Sequence, residues 1–468
     1  MAEKETKKKK QVKQKIPKTV QQSIPYINIF DNGVIETEPG VFSKAYRLED
    51  VNFKIAPDAE QVEIFTAFGQ FLNSFSPEVK FQIIIQNHNT NRYDTVRSVK
   101  FDPQKDGLNK YRSELNTILI DKISESKNNL TQDKTLIVSV EDEDSVHAMQ
   151  VLKTLDIEIN KGLTKIAKEA RTEPKPIEER LEDLFNIYNQ DGESVFYNAK
   201  DKDKTYFDLN KVYRSGLTSK DVIGPSGLEF NSGSFRMGHT YGRAMFLEGV
   251  PSFLSTDFLS DLSNISCALS ISIHYTSLDP TKAIKMVRDQ MVNVNAQIAS
   301  AQKEAFKNGY SPDIISHGLM TSKTQTEALM DDLVGRDQKL YYITFVVVAF
   351  ADTMKQLEEN TRLITSIGNK YLCPIKTLLF QQEEGFNAAL PLCTNKLAVK
   401  RLYTTESASI FLPYTSQELF QKNGIYYGLN QISNNLIVYS RMNGRNYNGL
   451  IFGESGAGKS YHAASGFP

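Results

Sequence analysis

The sequence predicts a mixed α/β protein, and three observations carry that prediction. The chain has 468 residues, which at ~100–200 residues per domain suggests two to four domains with ample core. Hydrophobic residues are 40% and charged residues 24%, with 26 Gly and 16 Pro, a balance that excludes disorder, collagen or a coiled-coil array as descriptions of the whole chain. Apolar runs of strand character also alternate with segments whose apolar residues recur at three- and four-residue steps, the helical period.

Taken in order, the first segment is a tail of residues 1–22. Its eight lysines, Lys4, Lys7, Lys8, Lys9, Lys10, Lys13, Lys15 and Lys18, face only Glu3 and Glu5. Such a block repels itself and has too little apolar surface to fold alone. It reads either as a solvated, disordered tail or as a contact for an anionic membrane face or nucleic acid. From Asp58, the positions Val62, Phe65, Phe68, Leu72 and Phe75 mark a helix that Asp58 caps and Pro77 stops. Phe81–Ile85 follows as a buried strand, and Tyr111, Leu115, Ile118 and Ile123 mark a second helix. Leu136–Val140 is the next strand. Asp144 opens a long helix through Leu152, Leu155, Ile159, Leu163 and Ile166, which Pro174-Lys175-Pro176 ends.

A polar stretch from Gln190 to Lys220, followed by Gly224-Pro225-Ser226-Gly227 and Gly233, Gly238 and Gly242, reads as a subdomain joint. The same order of elements then returns. Cys267–Tyr275 alternates as a strand, and Asp279-Pro280 is a cap with proline at the first helical position. The helix behind it carries Ile284, Val287, Met291, Val294, Ile298, Ala301 and Ala305 at near-heptad spacing and can end at Gly309. With fewer than four full heptads, that stripe reads first as a core face, with a self-association seam as the alternative. The strand Leu340–Phe350 and a helix through Met354, Leu357 and Leu363 complete the second passage. Strand, helix, strand, helix thus occurs twice, an internal repeat of element order without matching residues. The expected organisation is a basic tail at 1–22, one α/β subdomain at 23–220, a second at 221–420, and a further unit from 421 to 468.

Lys plus Arg is 55 against 56 Asp plus Glu, so no field of the whole chain argues for a nucleic-acid partner, and no aromatic–basic interleaving marks a specific nucleic-acid site. The longest apolar run, Tyr341–Ala351, is about half the ~20 residues a spanning helix needs. The N-terminus lacks the apolar stretch of a secretory signal, and Cys267, Cys373 and Cys393 are too few for a disulfide framework, which places the protein in the cytoplasm. Among these cysteines and His88, His147, His239, His274, His317 and His462 there is no metal-ligand spacing, so no zinc site is expected. His274 and His239 read as satisfied structural histidines. Glu383-Glu384 and Asp331-Asp332 read as solvated faces and not as acid/base pairs, because sequence neighbours point apart.

The chemistry lies in Leu450-Ile451-Phe452-Gly453-Glu454-Ser455-Gly456-Ala457-Gly458-Lys459-Ser460. Gly453, Gly458, Lys459 and Ser460 fit G-x-x-x-x-G-K-S, which arises by chance in roughly 2 of 100 chains of this length. Glycines are needed because backbone N–H groups must wrap phosphate oxygens in conformations a Cβ forbids. Lys459 is placed to reach the β- and γ-phosphates, and Ser460 to offer its hydroxyl to Mg²⁺ at a helix start whose dipole favours anions. Residues 453–460 are thus the expected nucleotide site, with ATP and Mg²⁺ as its ligands. Leu450–Phe452 reads as the strand that leads into the loop.

Gly424-Ile425-Tyr426-Tyr427-Gly428-Leu429-Asn430, the strand Asn435–Ser440 and Asn446-Tyr447-Asn448-Gly449, running into this loop, resemble the approach to the ATPase domain of conjugative type IV secretion ATPases, relatives of the HerA–FtsK translocases. Tyr46–Phe53, Gly242-Arg243-Ala244 and Pro251-Ser252 are similar to segments of their N-terminal region. The resemblance implies a RecA-like P-loop ATPase domain starting near 421 and ATP as ligand. It also implies a peripheral place at the cytoplasmic side of a transfer channel and N-terminal domains that bind channel components. The family's chain continues for several hundred residues past the phosphate loop. This one stops at Pro468, so it is expected to be a partial chain without the acidic strand and arginine that hydrolysis needs, and inactive by itself. Competing expectations are a docking module without turnover, and another HerA–FtsK-type DNA translocase, although coupling proteins of that kind usually begin with membrane-spanning helices.

Overall fold

The computed structural model describes residues 17, 19–49, 51, 53, 56–89, 100–125, 130–166, 172–190, 209–251, 254–309, 311, 316–414, 425–429, 436–440, 450–456 and 458–460. Most of the basic tail, residues 191–208 of the polar stretch, Gly424, Asn430, Asn435, Asn446–Gly449 and Ala457 lie outside them.

The fold is mixed α/β, built on one 12-stranded antiparallel sheet. β1 (Asn28–Ile29), β2 (Ile35–Glu38) and β3 (Val41–Arg47) form a meander; β4 (Lys80–Asn89) and β5 (Leu130–Glu141) follow, and the order across the sheet is β1-β2-β3-β5-β4. β6 (Leu228–Phe230), β7 (Phe235–Met237) and β8 (Thr240–Leu247) form a second meander, followed by β9 (Leu269–Ser277) and β10 (Leu340–Ala351); their order is β6-β7-β8-β10-β9. The two halves therefore have the same connectivity. They join where β4 meets β9, Ile83 opposite Ile273, so strands on both sides of residue 220 share one sheet. β11 (Ile375–Thr377) adds to β8 and β12 (Arg401–Thr404) to β10, while β13 (Ile425–Leu429) and β14 (Leu436–Tyr439) form a separate hairpin.

One sheet face is apolar at every second residue: Phe81, Ile83 and Ile85 beside Ile271, Ile273 and Tyr275, then Tyr341, Ile343 and Phe345. The helices Asp58–Ser74, Ser145–Ile166, Asp257–Ser263 and Met354–Lys370 bury their own apolar stripes into the same core. Phe75, Phe81 and Tyr275 stack there with centroids 4.6 and 4.7 Å apart. The long helix Ser145–Ile166 buries Leu152, Leu155, Ile159, Leu163 and Ile166, the residues its periodicity indicates. In Asp58–Ser74 the inward residues are Ile64, Phe68, Phe71 and Leu72, and Val62 is exposed. Asp58 is not its cap: Pro57 holds that position, and no side-chain bond is made there.

The other face is polar in the middle. Gln82, Ser270, Ser272 and His274 are buried under the irregular segment 388–393. Irregular backbone must have hydrogen-bond partners, and these side chains supply them. Gln82 Nε2 donates to the Ala388 and Leu390 carbonyls at 3.1 and 2.9 Å, and the Cys393 N–H donates to Gln82 Oε1 at 2.7 Å. Ser272 Oγ donates to the Ala388 carbonyl at 2.8 Å, and Ser270 Oγ to that of Ala389 at 3.3 Å. Arg180, fully buried on the helix Ile177–Tyr188, ties the same segment to the first meander, donating to the carbonyls of Gly33, Ser43 and Pro391 at 2.9, 2.7 and 2.9 Å. Burial pulls its guanidinium down to about 10, still charged at neutral pH.

The connection from β9 to β10 holds two helices where the sequence pattern marks one. Asp279 caps Pro280–Lys307, its Oδ1 accepting the Lys282 N–H at 3.0 Å, and His317–Gly335 follows it. The inner stripe of the first, Ala283 and Val287, packs with Leu329, Met330 and Leu333 of the second. Among the described residues, no helix is long and apolar enough to cross a membrane.

Candidate functional site

The phosphate-type loop lies outside the 12-stranded sheet. Leu450–Phe452, expected as its leading strand, takes no strand pairing, and Leu450 and Phe452 are 84% and 86% exposed. Among the described residues no strand lies beside it to complete its backbone hydrogen bonds, so the apolar sequence alone does not make it a strand.

The loop itself has the backbone its sequence indicates. Gly456 and Gly458 have φ of +86° and +75°, left-handed values that a side chain would strain. No atom lies within 4 Å of where a Cβ would stand at either, so the requirement is conformational and not one of space. Directly after them, Lys459 and Ser460 take up helical backbone. The Lys459 ammonium folds back over the loop and donates to the carbonyls of Gly453 and Glu454 at 2.7 and 2.6 Å. Both ends of the motif are thereby brought together by its lysine. A left-handed turn running into a helix start is the arrangement in which successive N–H groups converge on an anion. These residues fit a nucleotide's phosphates, and the exposed Ser460 hydroxyl is the group that would help to hold Mg²⁺ there.

The other residues the sequence singles out lie elsewhere. His274 is structural: its Nε2 donates to the Ala388 carbonyl at 2.7 Å, and burial pulls its pKa down to about 4. His239 is different from expectation, exposed in the turn between β7 and β8 because that turn points away from the core. Glu383 and Glu384 are half-buried in the first turn of the helix Gln382–Ala388 and not on a solvated face; burial and then the Glu384 charge raise the Glu383 pKa. Asp332 pairs with Arg336 at 3.2 Å on an outer helix. Cys267, Cys373 and Cys393 are buried free thiols. The residues that sequence reasoning missed are Arg180 and Gln82. A polar residue inside an apolar run, as in Phe81-Gln82-Ile83, was the available signal for the second.

In comparisons with known proteins, no family model and no curated protein matches the chain.

Proposed function

We propose that this chain is the N-terminal part of a conjugation or type IV secretion ATPase. Its loop 453–460 binds the phosphates of ATP with Mg²⁺, and the intact protein energises DNA or protein transfer or the assembly of the transfer channel. The observation that carries the nucleotide reading is the loop's conformation: left-handed Gly456 and Gly458, a helix start at Lys459, and the Lys459 ammonium held across the loop by its own carbonyls. In this reading Lys459 exchanges those carbonyls for β- and γ-phosphate oxygens. The large sheet region is the part that docks on channel components, at the cytoplasmic face of the membrane, where the lysine-rich residues 1–22 add contact with anionic lipid.

The exposed Leu450–Phe452, which pairs with no strand among the described residues, sets the expected activity. In a working nucleotide domain the loop is held by a sheet, and a loop without that support is ordered only by the ligand, at an entropic cost. Residues 1–468 are therefore expected to bind ATP weakly and to hydrolyse none. The same exposed run favours a second reading, a docking module without turnover. The test is fluorescent-nucleotide binding and phosphate release by residues 1–468, with and without Lys459→Ala. Weak, Mg²⁺-dependent binding lost in the variant supports the nucleotide reading. Binding that is absent, or unchanged by Lys459→Ala, leaves the docking module.

A further inference from the structure

The two halves of the sheet share an order of elements, and the strand registers supply the residue alignment that reading along the chain does not. Ser43 pairs with Ile35 in the first meander and Gly242 with Phe235 in the second, so these two pairs can be laid on each other. Each ladder then carries the match to the next strand. Lys44 falls on Arg243 and Ala45 on Ala244, and their partners Val138 and Ile137 fall on Ala349 and Val348. The partners of those in turn, Phe81 and Gln82, fall on Leu269 and Ser270.

This alignment is fixed by backbone pairing alone, yet it brings like residues together. Gly33 matches Gly233, Lys44 matches Arg243, Ala45 matches Ala244, and Leu48-Glu49 matches Leu247-Glu248; in the central strands Ile83 matches Ile271 and Ile85 matches Ile273. Their surroundings match as well. The Ala45 carbonyl accepts the Lys175 N–H at 2.8 Å, and the Ala244 carbonyl accepts that of Leu378 at 3.0 Å. Lys44 donates to Asp156 on the helix that follows β5, at 2.7 Å, and Arg243 donates to Glu358 and Thr361 on the helix that follows β10, at 2.6 and 3.2 Å. A charged side chain on an apolar sheet face needs a partner there, and both halves provide it from the same place in the order of elements.

Carried to the seam, the alignment lays Ile84 on Ser272, and these two residues stand opposite each other where β4 pairs with β9. Ile83 faces Ile273, the counterpart of Ile85, and Ile85 faces Ile271, the counterpart of Ile83. Residue i meets j and j meets i, the mark of an isologous contact between two copies of one unit. The axis falls near the middle of the ladder, which runs from Lys80 beside Thr276 to Asn87 beside Leu269.

We propose that residues 20–188 and 219–388 are two copies of one module fused in a single chain, and that the β4–β9 seam is a self-association interface of that module held within one molecule. Ile83, Ile85, Ile271 and Ile273, all buried, are its apolar centre. Fusion lets the copies diverge, and the second sheet face shows the divergence: His274, which donates to Ala388, matches Gln86, whose Nε2 has no partner among the described residues. The proposal does not rest on the nucleotide reading.

The test is a transplant within the full chain. Replacing residues 41–48 by the sequence of 240–247 keeps the register of the alignment. Replacing them by that of 241–248 shifts it by one residue, which turns every side chain to the other face. The in-register chain is expected to unfold in one urea transition with a lowered midpoint, and the shifted chain to show no transition. An in-register transplant that fails as the shifted one does, or a shifted one that folds as well, overturns the equivalence of the copies. A second measurement addresses the seam. With a protease site inserted between residues 198 and 199 and cut, the two pieces should sediment together near the 52.9 kDa of one chain. Pieces that sediment apart overturn the interface.

Discussion

His274 makes the fold's stability depend on pH in a window set by its burial. Its Nε2–H donates to the Ala388 carbonyl, and Ser272 Oγ and Gln82 Nε2 lie 3.2 and 3.4 Å from the same nitrogen, so a second proton has to go to Nδ1 of a ring that is buried. Burial pulls its pKa down to about 4, the Ala388 carbonyl opposes this, and the nearby Lys400 charge adds to it. In the unfolded chain the same imidazole titrates near its ordinary ~6.5. Between these values the unfolded state binds a proton that the folded state refuses, so stability is intact above about 6.5 and is lost as pH falls towards 4. At ~1.4 kcal/mol per pH decade, that window is worth about 3 kcal/mol, a large share of a typical domain's 5–15.

Urea unfolding at steps between pH 7.5 and 4, on wild type and His274→Gln, isolates this contribution, since every other titrating group is common to both chains. A glutamine amide can still donate to the Ala388 carbonyl but takes up no proton. The variant's stability is expected to fall less over the window, by about 3 kcal/mol at pH 4. Identical slopes in the two chains would show that the imidazole is not held neutral by the fold, and the account of segment 388–393 would fail with it.

Arg180→Met removes the donor to the carbonyls of Gly33, Ser43 and Pro391 and should destabilise by about 3–5 kcal/mol in urea unfolding, with Arg180→Lys no rescue because one ammonium cannot reach three separated acceptors in the guanidinium's geometry; a loss below about 1 kcal/mol would contradict the pin. Gly242→Ala places a Cβ 2.2 Å from the Phe235 ring, so melting should drop by the equivalent of about 1–3 kcal/mol, and Phe235→Leu in the same chain should recover part of it. No recovery would mean that the ring is not what the methyl meets. Deleting residues 1–22 should remove co-sedimentation with anionic vesicles, which fades as salt shortens screening to ~8 Å. Equal binding to neutral vesicles would refute a charge contact.

The elements most legible in the sequence were those whose burial is one-sided and apolar. Leu152, Leu155, Ile159, Leu163 and Ile166 keep the helical period because one stripe meets one sheet face, and Asp279-Pro280 starts a helix by chemistry local to the turn. The phosphate loop was legible for the same local reason: positive φ at Gly456 and Gly458 is written into the residue type. The strand before it was not, since Leu450–Phe452 carries strand residues but pairing is a property of neighbours.

The least legible part was the second sheet face. Leu269-Ser270-Ile271-Ser272-Ile273-His274 alternates as a strand with one wet side would, yet both sides are buried. The serines, His274 and Gln82 face irregular backbone at 388–393, whose N–H and C=O groups need partners as firmly as any helix end does. Periodicity reports where polar residues alternate, not whether water or peptide backbone satisfies them. Tyr111, Leu115 and Ile118 are the converse. Their spacing is that of a core face, and the helix leaves it in solvent because the connection it belongs to projects beyond the end of the β4–β5 pair, where this chain offers no described helix to cover it. An apolar pattern says that a surface seeks cover. It does not say what supplies it.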